Sequence, residues 1–141
     1  MSTLIAERRV LAVVIVTIAC SAALAAGQGA TAPNRGAIER GRALFEQSCS
    51  TCHGKRGKGD ARGASAMNPR PTDLTTLTKR TGAFPAERVE ATLKGTDQTK
   101  AHTPAMMAWK ALFLAEANGN EATADARVKD VIAFIASVQA K

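Results

Sequence analysis

Residues 49–53 read Cys-Ser-Thr-Cys-His. Two thiols two residues apart, with an imidazole directly after the second, constrain this chain more than any other feature. Three chemistries use such a group: a dithiol redox pair, half of a zinc site, or the anchor of a c-type haem. Each makes a different demand on the rest of the sequence.

A redox pair belongs at the end of a strand in a βαβ setting. Here the motif ends a helical stripe, with Ile38, Gly41, Phe45 and Cys49 at steps of three and four, and nothing alternates with period two over a useful length. A closed zinc site needs four ligands. The only other histidine is His102 and the only other cysteine is Cys20, and an open three-ligand site lacks an evident general base. Haem attachment asks for less. Two thiols at this spacing reach the two vinyl groups on one porphyrin edge, and His53 then lies beneath the iron. The sequence favours this reading.

Attachment of that kind takes place outside the cytoplasm, and the N-terminus agrees. Arg8 and Arg9 precede an apolar run over residues 10–19, and Ala23-Leu24-Ala25 has the form of a cleavage site. Residues 1–25 are therefore expected to be a signal peptide and the mature protein to be periplasmic. A membrane span needs about 20 apolar residues, and this run is shorter and diluted. Cys20 supports a lipid-anchored alternative, with Thr17 fitting that signal poorly; the Arg pair matches twin-arginine export loosely. After cleavage at Ala25 only Cys49 and Cys52 remain, and a disulfide closing so short a loop would remove little chain entropy.

Residues 26–36, AGQGATAPNRG, read as a flexible lead-in. The domain is expected over residues 37–141. It begins with the helix containing Gly41, which costs about 1 kcal/mol in a helix interior and so implies a packing reason. The stretch from Gly54 to Asp73 is rich in Gly and Pro and reads as loop. A short helix follows Phe84-Pro85 and stops at Gly95. Residues 96–107 are loop, a helix runs from about Ala108 to Asn118-Gly119, and Val128, Val131, Ile132, Ile135 and Val138 mark a final amphipathic helix. This is an all-α domain with long loops. It has no tyrosine, four phenylalanines and one tryptophan, a thin supply for a core that a large apolar cofactor would supplement.

The glycines after the motif do not make a phosphate loop, because Asp60 stands where a lysine is needed and no strand precedes. They suit a backbone lying flat along a haem edge. The chain carries 19 Lys and Arg against 12 Asp and Glu. The cluster Lys55, Arg56, Lys58 and Arg62 has no interleaved aromatics for base stacking, so nucleic acid is not expected. It reads as solvated surface or as a means of steering an acidic-surfaced redox donor and acceptor.

From Gly41 to Val138 the sequence resembles class I c-type cytochromes, in particular bacterial single-haem ones. The resemblance lies in Gly41 with Phe45, Cys49-x-x-Cys52-His53-Gly54, Gly57-x-Gly59-Asp60, Pro69-x-Pro71-x-Asp73-Leu74-Thr75, Phe84-Pro85-x-Glu87-Arg88-Val89, Gly95, His102 and Met106-x-x-Trp109. It implies a fold of three to five helices with long loops around one covalently attached haem, the first and last helices crossing where Gly41 meets Phe134. It implies Met106 as the sixth ligand opposite His53. Met107 stands where the family usually has proline, which leaves Met107, His102 or an open site as alternatives. The family loop also supplies a proline carbonyl to the His53 ring, here from Pro69 or Pro71, and Trp109 is expected either beside the haem or as a plain core tryptophan.

The expected function is electron transfer on one haem c with His/Met ligation, by a domain that needs no catalytic residue and is expected to be a monomer. The alternatives are a haem subunit of an oxidoreductase complex, or a gas-binding or peroxidase-like protein with a labile sixth ligand. Membrane association is expected only through a lipidated Cys20.

Overall fold

The computed structural model describes residues 34–97 and 109–141. The expected signal peptide, most of the expected lead-in, Cys20, His102, Met106 and Met107 lie outside the described residues. All described residues are helical or irregular, with no strand among them. The first helix, α1, is Arg35–Ser48, begun by the Asn34 side chain, which accepts from Gly36 N at 2.9 Å. It starts inside the stretch read as lead-in. A single turn, α2, Ser50–His53, continues it almost without a break, because Cys49 N still donates to Phe45 O at 2.8 Å.

After a loop containing one 3-10 turn, Ala64–Ala66, a second 3-10 turn, Leu74–Thr76, leads into α3, Leu77–Thr81. Then come α4, Ala86–Lys94, α5, Trp109–Glu116, and α6, Glu121–Ser137. Pro85 caps the start of α4, where a missing N–H costs nothing. Asn118 and Gly119, both with positive φ, turn the chain from α5 into α6. The Asn120 side chain caps α6 by accepting from Thr123 N at 2.9 Å.

The core is where α1, α4 and α5 meet α6. Phe45, Leu93, Phe113, Ala124, Val128, Val131, Phe134 and Ile135 form one buried cluster. The α6 members fall at steps of three, four and seven, the stripe a packed helix requires. Phe45 and Phe134 meet with ring centroids 5.0 Å apart, tilted by 51°, and Arg42 lies 5.6 Å over the Phe134 ring. Each fully buried phenylalanine contributes about 2–3 kcal/mol.

Gly41 shows why α1 and α6 pack as they do. A Cβ there would overlap the Asp130 carbonyl and stand 3.0 Å from Phe134 Cβ. The expected contact with Phe134 is present, but the closest neighbour is the α6 backbone. Beside it the Arg40 guanidinium grips Asp130 with two hydrogen bonds, Nε to Oδ2 at 2.7 Å and Nη2 to Oδ1 at 2.9 Å. That pairing holds an otherwise costly carboxylate inside the crossing.

The C-terminus closes the fold over α3. Gln139 Nε2 donates to Leu74 O and Ile135 O, its Oε1 accepts from Thr78 N, and Ala140 N donates to Thr75 O. No helix among the described residues is long and apolar enough to cross a membrane.

Candidate haem-attachment site

The α1–α2 junction places Cys49, Cys52 and His53 on one continuous helical turn, with His53 N donating to Cys49 O at 2.9 Å. Both cysteines are free and half-buried. Burial, and secondarily the neighbouring Cys52, push the Cys49 thiol up to about 12. It therefore stays protonated at neutral pH and packs against the apolar core.

His53 is buried at the end of this turn. Its Nδ1–H donates to the carbonyl of Thr72 at 2.9 Å, because a carbonyl can only accept. This tautomer leaves the lone pair on Nε2, the atom a metal would take. Burial pulls the imidazole below its ordinary range, with the Thr72 bond opposing. The neutral ring, the form that ligates, is favoured.

The carbonyl partner corrects the expectation of Pro69 or Pro71. The loop explains the difference. Gly59 N donates to His53 O at 2.8 Å and Leu74 N to Gly57 O at 2.7 Å, which lays residues 57–59 along residues 71–74. The Pro71 carbonyl occupies the space where a Cβ on Gly59 would stand, and Gly59 has φ +68. The Pro71 carbonyl thus lies against Gly59, and the next carbonyl, that of Thr72, meets the ring. Only a glycine allows both that φ and that approach.

Lys55, Arg56, Lys58 and Arg62 are all exposed on this loop, and Arg56 has Asp60 at 3.7 Å. Trp109 is half-buried against the core at the first residue of α5. Among the described residues no three His, Cys, Asp or Glu groups are placed to hold one metal ion. Two reduced thiols on one helical turn, beside an imidazole with Nδ1 engaged and Nε2 available, are the donor set a covalently attached haem needs. The residues fit that group.

The family model of cytochrome c matches residues 38–139, and the chain belongs to the cytochrome c family. Members of this family hold haem c covalently and generally serve as electron carriers. Comparison with curated proteins and with solved structures gave no match.

Proposed function

We propose that this protein is an exported single-haem electron carrier of the class I type. Cys49 and Cys52 would hold the haem by thioether bonds, and His53 Nε2 and the Met106 sulfur would ligate its iron. Bound haem supplies an iron that gains or loses one electron, and Met/His ligation raises its potential. The observation that carries the reading is the His53–Thr72 hydrogen bond beside two free thiols, in a chain matched by the cytochrome c family over residues 38–139.

The chain's own residues supply position and surroundings. Thr72 fixes the His53 ring and raises its basicity as a donor. The core formed by Phe45, Phe113 and Phe134 keeps α1 rigid against α6, so the attachment turn moves little between oxidation states. Lys55, Arg56, Lys58 and Arg62 orient an acidic-surfaced donor or acceptor, a contact that salt weakens. Residues 1–25 direct the protein to the periplasm, where it works as a monomer.

The test is expression in a host that matures c-type cytochromes, followed by the pyridine haemochrome spectrum and the mass of the intact chain. The expected result is one covalent haem per chain beginning after Ala25. Loss of covalent haem in Cys49→Ala and Cys52→Ala supports the attachment residues. A chain that leaves the cell without haem would contradict the proposal.

A further inference from the structure

Residues 98–108, which contain His102, Met106 and Met107, run from the end of α4 to the start of α5. Both flanks are held by one carboxylate on α6. Lys94, the last residue of α4, has Nζ 3.8 Å from Asp125 Oδ1, and Lys110, the second residue of α5, has Nζ 3.2 Å from the same oxygen. That oxygen is sealed from water, and among the described residues no donor meets it with hydrogen-bond geometry. Two ammonium groups face it instead. Each also has a second carboxylate: Glu90 at 2.5 Å from Lys94 and Glu121 at 2.7 Å from Lys110. The exit from α4 is fixed as well. Thr96 N donates to Ala91 O at 2.9 Å around a left-handed Gly95, and the Asp97 carboxylate lies 3.6 Å from Arg88.

We propose that Asp125 is a positioning residue for the sixth haem ligand. By drawing Lys94 and Lys110 to one oxygen it sets the separation of the two chain ends between which the ligand is carried. The proposal deepens the assignment of Met106 and rests on it. A tethered ligand reaches its site at an effective concentration set by the tether's ends and length. Freeing one end of a tether lowers the effective concentration of whatever it carries, and an outside ligand then competes better for the iron. A lone exposed ion pair would do little. Here one carboxylate faces two cations, and the three side chains are only 26–38% exposed.

The test compares ferric wild-type holoprotein with Asp125→Asn, Asp125→Glu, Lys110→Gln and Met106→Ala. Two quantities are read at low salt: affinity for imidazole, and the rate of tryptic cleavage after Lys100. Asp125→Asn is expected to bind imidazole roughly two- to five-fold tighter and to be cut faster by a similar factor, the scale such pairs support. Lys110→Gln should move the same way, Asp125→Glu should recover most of the wild-type behaviour, and covalent haem content should not change. A wild-type value for either quantity in Asp125→Asn would overturn the proposal. Met106→Ala separates the two ideas. Equal imidazole affinity in wild type and Met106→Ala would overturn the ligand assignment, whereas unchanged Lys100 cleavage in Asp125→Asn would overturn the clasp.

Discussion

The ring of His53 is tied to the main-chain carbonyl of Thr72, 2.9 Å from Nδ1. The Thr72 side chain is exposed and has no part in the bond. Thr72→Ala is therefore expected to leave the optical spectrum and midpoint potential unchanged. Gly59→Ala acts on the same bond indirectly. It places a Cβ in the Pro71 carbonyl at a φ of +68, which costs about 1–3 kcal/mol and displaces the strand of chain bearing Thr72. Urea titration of both holoproteins, with a potentiometric titration beside it, checks the contrast.

Gly41→Ala sets two effects against each other. Alanine is favoured over glycine in a helix interior by about 1 kcal/mol. The added methyl would overlap the Asp130 carbonyl, and relieving it means moving helix against helix, at a cost of about 1–3 kcal/mol or more. Packing wins, so the variant should unfold at lower urea concentration with an unchanged slope.

Phe134 meets Phe45 at 5.0 Å and underlies Arg42. Phe134→Ala should cost about 3–5 kcal/mol through lost burial and the cavity left behind. Phe134→Leu, which refills most of that space, should cost clearly less. Thermal melts of the two holoproteins give the order.

The pH dependence of stability follows from the α4–α5–α6 charges. Asp125 is held below its ordinary value of 3.8, chiefly by its contact with Lys110, with burial opposing. A depressed carboxyl stabilises the fold above its ordinary value, and that stability is lost as pH falls through the lower folded value. Lys94 and Lys110 lie above their ordinary 10.5, through Glu90 and Glu121 respectively. Their contribution is complete below 10.5 and is lost as pH rises through the folded values. Asp125→Asn should therefore melt below wild type at pH 7, and the difference should close towards pH 2, where the wild-type carboxyl is protonated. Melting curves at both pH values decide it.

Much of this fold is written in local pattern. The stripe through Val128, Val131 and Ile135 has one amphipathic solution, and Gly41 in a helix interior announces a close approach. Cys49, Cys52 and His53 are legible because their chemistry depends on spacing along the chain. The parts that were not legible depend on contacts that leave no side-chain trace. The Thr72 carbonyl is one that any residue would carry, and its selection over those of Pro69 and Pro71 follows from how Gly59 seats the loop. Leu74–Thr81 is too short to show a period, and its helical turns are held by Gln139 and Ala140, more than sixty residues away in sequence. Asp125 carries no signal of its own in the sequence, because only the fold brings Lys94 and Lys110 to it.

The central claim is a haem iron held between His53 and Met106 for electron transfer. Its most direct test is the optical spectrum of the purified holoprotein, ferric and ferrous, with carbon monoxide added to the ferrous form. The account predicts a low-spin c-type spectrum, a far-red ferric band that disappears in Met106→Ala and survives in Met107→Ala, and no response to carbon monoxide. A high-spin spectrum, or ready carbon monoxide binding by the wild type, would contradict it and point to an open haem site.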